Sequence, residues 1–361
     1  MPDINIILII ASSGRMLAQQ AKKSGYSVLV IDCFADRDTQ TYAEQVVKVE
    51  SLLLLKVKEA LSLLNEYHIS HVVYGSGLED QQATLHYLEQ NYIVLGNSFQ
   101  VFSTVQNKQA FFLLLDKNKI PHPETLFQQP VSKLNWLLKP LAGEGGIGVK
   151  KYIEGSKSNA FCYWQKFIQG TPRSVLFIAN GAEYKIIGFH QQFTTQVKAY
   201  EFVFSGVINQ LSISKVLEKK LRRTLNVLVP ELSLQGINSL DYIESSEQCS
   251  ILEVNARPSA SMNLYDSDLF LSHIDCCQGK KALNSIKPLG SYHAYKIIFA
   301  KQKLFIEAHI NWPSWVLDIP CKGSIIHTGM PICSIIAGGK NEQAVESLLL
   351  SRQKQLINLL K

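Results

Sequence analysis

Two stretches of the sequence carry residue types at spacings that could do chemistry. Residues 136–149 read Trp-Leu-Leu-Lys-Pro-Leu-Ala-Gly-Glu-Gly-Gly-Ile-Gly-Val. Gly143, Gly145, Gly146 and Gly148 give a backbone that can approach a polyphosphate and turn several N–H groups toward it. Lys139, on the incoming strand, would be aimed at the same anion. A dinucleotide fingerprint would open a helix here, whereas this stretch runs on into Val149-Lys150-Lys151-Tyr152-Ile153, a second strand. The Gly-Lys-Ser/Thr of a Walker loop is absent. A hairpin that closes over phosphates fits the residues, and so does an ordinary mobile glycine turn.

The second stretch pairs 236–243, which contains Asp241, with 250–258, which reads Ser-Ile-Leu-Glu-Val-Asn-Ala-Arg-Pro. Side chains alternate along a strand, so Glu253, Asn255 and Arg257 share one face and Val254 and Ala256 the other. Residues 245–248 read as a turn that brings Asp241 beside Glu253. Two carboxylates and an amide oxygen form a hard-oxygen site suited to Mg²⁺, which takes its other ligands from phosphates and water. Arg257 would neutralise charge in a group transfer. A surface salt-bridge cluster is the competing reading.

These residues need a scaffold, and the chain can build a large one. It has 361 residues, 46% hydrophobic and 18% charged, with 36 Lys+Arg against 30 Asp+Glu, net +6. That composition excludes a disordered or acidic-tail protein. The mild charge, without basic clusters interleaved with aromatics, argues against a nucleic-acid partner. Seven cysteines, odd in number and without CxxC, fit a reduced, cytoplasmic setting. No run approaches the ~18 apolar residues of a membrane span, and the apolar stretch 4–10 reads as a first strand.

Strand and helix patterns alternate through the first hundred residues: strands at 4–10, 27–31, 71–74 and 93–95, helices at 15–24, 52–67 and 80–90. This spacing predicts a parallel sheet whose ligand side carries the loops 12–15, 32–38 and 75–80. Asp32, Asp36 and Asp38 in the second loop could hold an amino group, or could simply cap and brace the loop. A helix from about Asn107 must end by Pro121 and Pro123. Turn signals at Pro288, Pro313, Gly323 and Gly329 mark short strands, before a last helix at 342–360. The Lys215, Lys219, Lys220, Arg222, Arg223 run shares helical spacing with Val216, Leu217, Leu221 and Leu225, so it reads as a solvated face. His68 and His71 read as ordinary residues beside a strand.

Taken together, Lys108, Lys139, the glycine loop, Asp241 and Glu253-Val254-Asn255-Ala256-Arg257 resemble the ATP-grasp superfamily over about residues 1–275. The resemblance implies an N-terminal Rossmann-like parallel-sheet domain (1–102), a two-part α+β grasp (103–168 and 169–275) and a C-terminal segment (276–361). It implies ATP and Mg²⁺, ADP and phosphate as products, and an acyl-phosphate intermediate. Lys108 and Lys139 would contact phosphates, the loop would cover them, and the backbone of Gln165, Lys166, Phe167 and Ile168 would read the adenine. Asp241, Glu253 and Asn255 would hold the metal, while Arg257 and Lys139 would serve the transfer. Two departures stand out: Lys166 and Gln169 occupy positions often acidic in the family, and Ala256 replaces a common proline.

A narrower resemblance rests on Ser13-Gly14-Arg15, the 32–39 loop with Asp36, Ser76 and Glu79 in the third loop, Ser259 and Ser261 after Arg257, and Trp312-Pro313 with Gly329-Met330-Pro331 in the tail. These look like ligases of methanofuran- and methanopterin-type cofactor synthesis. That likeness implies small-molecule carboxylate and amine substrates, namely a glutamate γ-carboxyl and a tyramine- or tyrosine-like amine, with Ser13, Arg15, Asp36, Ser76, Glu79, Ser259 and Ser261 near them. It is compatible with a homo-oligomer. A phosphotransferase and a non-catalytic nucleotide-binding subunit are the alternatives on the same scaffold.

Overall fold

The computed structural model describes residues 6–131, 135–153, 161–246, 248–265, 269–280, 289–307 and 310–360. Residues 4 and 5 of the first expected strand, Glu247 of the expected turn, and Pro288 lie outside them.

Five parallel strands form the first sheet, in the order Gln45–Lys48, Ser27–Asp32, Ile6–Ala11, His71–Tyr74, Ile93–Val94. Its central strands are apolar without alternation because helices cover both faces, and Ile7, Leu8, Ile9 and Ile10 have no exposed surface. Helix Arg15–Lys23 follows the first strand and stops before Gly25, whose φ of +90° suits a left-handed turn. Helix Arg37–Tyr42 and strand Gln45–Lys48 are additions to the sequence reading. The strand has only two apolar residues and lies at the sheet edge, so its hydrophobic signal is weak.

Asn107 caps helix Lys108–Lys117, its Oδ1 accepting from the Ala110 N–H at 3.0 Å, which fixes Lys108 at the first turn. Beyond it, a four-stranded sheet runs Thr125–Leu126, Cys162–Lys166, Trp136–Pro140, Lys150–Lys151. The last two pair antiparallel, with Leu137 opposite Lys151, so the glycine stretch is the turn of a hairpin.

The largest sheet has eight strands, in the order Gln248–Asn255, Gln235–Ser245, Thr171–Asn180, Tyr184–Val197, Tyr200–Gln210, Tyr292–Phe299, Pro331–Gly339, Val316–Leu317. Helix Lys215–Leu232 buries Leu217, Leu221 and Leu225 and exposes its basic residues. Val216 is 50% exposed and does not join that stripe, because it falls at the edge of the buried face. The chain beyond residue 276 does not stand apart. Helix Leu269–Cys277 crosses that position, and three later strands extend the same sheet.

One core joins first domain and grasp: Leu8, Val72 and Phe102 belong to the same cluster as Phe111, Val175 and Leu240. Phe270 and Ile274 of helix Leu269–Cys277 pack against Ile7, Ile9 and Leu17. Polar bonds lock the seam. Tyr74 Oη donates to the Asn97 carbonyl at 2.9 Å and the Ala256 carbonyl at 3.1 Å, and Asn97 Nδ2 donates to Asn238 Oδ1 at 2.8 Å.

Candidate active site

Antiparallel register sets Asp241 opposite Glu253 and Ser239 opposite Asn255. Val254 and Ala256 point into the core, so the polar side chains between them face away from it. Lys108 Nζ reaches Glu253 Oε2 at 2.9 Å from the capped helix. Burial alone would raise the Glu253 carboxyl, but Lys108 and Lys139 outweigh that and hold it below the usual range. Asn255 Nδ2 donates to Asp241 Oδ2 at 3.2 Å, while Asp241 Oδ1 is buried without a partner. Burial, followed by the neighbouring Glu253 charge, pushes the Asp241 carboxyl up to about 7.

An orphaned, buried carboxylate oxygen beside an ionised carboxylate and an amide group is a donor set that a hard cation would relieve. Mg²⁺ fits it with Asp241, Glu253 and Asn255 as donors and phosphates completing the shell. Among the described residues no group of three His, Cys, Asp or Glu could hold a metal by protein ligands alone. That agrees with a metal brought in on its phosphates.

Lys139 Nζ lies on Gln165 Oε1 at 2.8 Å, and Gln165 Nε2 donates to Thr125 Oγ1 at 3.1 Å. Gln165 is buried, so its side chain positions Lys139. Burial lowers the Lys139 ammonium to about 8, with Glu253 opposing and Lys108 adding to the shift. The backbone N–H groups of Lys166 and Phe167 are spent on the Glu124 and Asn135 carbonyls, at 2.8 and 2.7 Å. Those two amides therefore offer an adenine no donors. Lys166 Nζ stands 4.8 Å over the Trp136 ring.

The glycine loop is docked. Its four glycines have φ between +64° and +127°, and the Phe204 N–H donates to the Gly145 carbonyl at 2.8 Å. A Cβ on Gly146 would sit 2.1 Å from the Phe202 carbonyl oxygen. Glu144, at the tip, meets Arg257 Nη2 at 3.4 Å and accepts from Ser12 Oγ at 3.3 Å. Arg257 Nε also pairs with Glu79 Oε1 at 2.5 Å, and its Nη2 lies 3.5 Å from Asn255 Oδ1. Burial, then Glu79, push the Glu144 carboxyl up to about 7 against the opposing pull of Arg257.

The structure thus brings Lys108, Lys139, Gln165, Asp241, Glu253, Asn255, Arg257 and Glu79 into one network. Ser259 and Ser261 are buried 3.2 Å apart beyond Arg257. The Ser12 N–H donates to the Ser76 carbonyl at 2.7 Å, and Ser13 is half-buried in the same loop region. Arg15 lies elsewhere. It is 1% exposed, with Nε on Asp318 at 2.7 Å, Nη1 on Gln19 at 2.9 Å and Nη2 on Asn263, so it braces the interior and has no direction left for a substrate. Sequence reasoning missed Glu144 and Ser12. The signal for Glu144 was a lone acid among glycines.

Residues 105–261 match the ATP-grasp domain family. An uncharacterized protein of Methanocaldococcus jannaschii is 23% identical over 269 residues, 71% of this chain and 66% of the relative's length. The fold is similar to biotin carboxylase of Campylobacter jejuni, solved as a β,γ-ATP complex, with TM-score 0.74 and 14% identity over 96% of this chain and 90% of that one. It is also similar to L-amino acid ligase of Bacillus licheniformis, with TM-score 0.71 and 13% identity over 98% and 97%.

Proposed function

From the premise that residues 105–261 form an ATP-grasp domain, we propose that the chain is an ADP-forming carboxylate–amine ligase working on Mg-ATP. The observation that carries this is the convergence of Lys108, Lys139 and Arg257 on the Asp241–Glu253–Asn255 face, with Asp241 Oδ1 unpartnered. Such a face suits a polyphosphate and its cation. The ATP complex of the structurally similar carboxylase and the amino acid ligase with this fold support the reading.

Lys108, Lys139 and the N–H groups of the glycine loop bind the phosphates. The metal, held by Asp241, Glu253 and Asn255, neutralises charge on the phosphate oxygens. A substrate carboxylate oxygen attacks the γ-phosphorus and ADP leaves. The free amine then attacks the acyl carbon, phosphate departs, and the amine's proton passes to solvent. Arg257 stabilises charge on the transferring phosphoryl oxygens, while docking of the loop through Glu144 excludes water. The narrower reading takes the glutamate γ-carboxyl as donor and a tyramine-like amine as acceptor, supported by Ser259, Ser261, Ser76 and Glu79 around Arg257.

The test is ADP release by the full chain with Mg-ATP and glutamate, with and without tyramine, and mass detection of the adduct. ADP release that requires both substrates is expected, with Glu253→Gln and Lys139→Ala folded but at least about 100-fold slower. A stable phosphorylated product would favour phosphotransfer, and unchanged rates in both variants would overturn the assignment.

A further inference from the structure

Away from the phosphate face, four carboxylates meet where the loop after strand Ser27–Asp32 touches the C-terminal segment. Three are fully engaged. Asp32 accepts from the N–H groups of Gly14, Phe34 and Ala35 at 3.1, 3.2 and 2.5 Å. Asp38 accepts from the N–H groups of Asp318 and Ile319 at 2.8 and 2.9 Å. Asp318 accepts from Arg15 Nε and from Tyr295 Oη at 2.9 Å.

Asp36 differs from all three. It is 7% exposed and precedes helix Arg37–Tyr42, yet its side chain caps no backbone N–H and makes no hydrogen bond or ion pair. Its oxygens are not among the sealed, partnerless atoms, so they keep an edge toward solvent. Arg15, the buried cation of the cluster, has spent Nε, Nη1 and Nη2 on other groups. Exposed Lys48 is felt by Asp32 and Cys33 but makes no ion pair with Asp36.

We propose that Asp36 is the recognition residue for a protonated amine, a compact ammonium group entering between the 32–38 loop and the Asp318–Cys321 stretch. The proposal rests on the ligase reading and names its second substrate class. A buried carboxylate among three others is costly unless a cation arrives, and an ammonium brings three donors and a full charge. A divalent metal fits poorly, since among the described residues no three such side chains gather as a metal site. Burial first, then Asp318, Asp32 and Asp38, push the empty Asp36 carboxyl up to about 8.

The position is apt. Cys33 stands between this cluster and the loop tip: after burial, Asp32 and Glu144 are the charges that push its thiol to about 11. Cys321 closes the other side, its Sγ donating to the Ala35 carbonyl at 3.2 Å. An amine held at Asp36 thus lies in the crevice that adjoins Glu144 and Arg257.

The experiment is calorimetric titration of the full chain at neutral pH with tyramine, 2-phenylethylamine and the uncharged N-acetyltyramine. Both amines should bind and the acetylated one should not. Asp36→Asn should weaken amine binding at least about tenfold, the scale of a lost charge-assisted bond, with Asp36→Glu in between. Binding of Mg-ATP should stay unchanged. The melting temperature of Asp36→Asn should hold or rise, since an unsatisfied charge is removed, whereas a bracing role would lower it. Absence of amine binding to the parent chain, equal affinity in Asp36→Asn, or a lowered melting temperature would overturn the site. Asp36-dependent amine binding without any ADP release would discard the ligase and keep the site, while ADP release with an unchanged amine KM in Asp36→Asn would do the reverse.

Discussion

His273 Nδ1 accepts the Ile237 N–H at 2.9 Å and Nε2 faces the Leu95 carbonyl at 3.0 Å, an arrangement only a neutral ring satisfies. Burial lowers its pKa to about 4. Below its ordinary value of 6.5 the unfolded chain takes up a proton the folded chain refuses, so this contribution to stability shrinks as pH falls toward 4. His273→Asn should therefore cost about 2 kcal/mol at pH 7, with the gap to the parent narrowing below about pH 6, as read by urea unfolding. Asp36 has the opposite sign: the folded carboxyl holds its proton up to about pH 8, the unfolded one only to about 4. The stability of Asp36→Asn relative to the parent should thus grow as pH rises from 4 to 8, measured as the difference in melting temperature. The polar face was legible at this scale because strand alternation dictates which of residues 253–257 look the same way. Arg15 was not, since its partners Asp318 and Asn263 lie 303 and 248 residues along the chain.

The glycine hairpin separates two effects that sequence cannot. Gly145 and Gly146 both have positive φ, but a Cβ on Gly145 meets nothing within 4 Å, whereas one on Gly146 meets the Phe202 carbonyl. Gly145→Ala should carry only the left-handed backbone cost of about 1–2 kcal/mol, felt locally. Gly146→Ala should also undock the loop from strand Tyr200–Gln210 and raise the KM for ATP at least about tenfold with global stability nearly kept. Steady-state kinetics on both variants decides it; equal effects would mean that docking does not matter. The hairpin was legible because apolar strands flank the glycines. Helix Arg37–Tyr42 was not, having six residues and one buried position.

At the scale of the molecule, the C-terminal segment returns to the first domain. Asp318 pairs with Arg15, Asp38 receives its neighbouring N–H groups, and the Arg37 N–H donates to the Ile319 carbonyl at 2.8 Å. Arg15→Met should leave Asp318 buried without its cation and cost about 3–5 kcal/mol, read by chemical denaturation. The α/β alternation and the order of motifs were legible along the chain. The merger of residues 292–339 into the grasp sheet was not, because short strands broken by turns do not say which edge they join.

That merger decides what borders strand Tyr200–Gln210. Its Gly206, Val207 and Ile208 pair with Lys296, Tyr295 and Ala294, and Val207 and Ile208 are buried. A chain cut after residue 290 would leave the strand that docks the glycine loop with a naked row of backbone donors and acceptors beside apolar side chains. Such an edge recruits other strands, so the shortened protein should self-associate through this sheet.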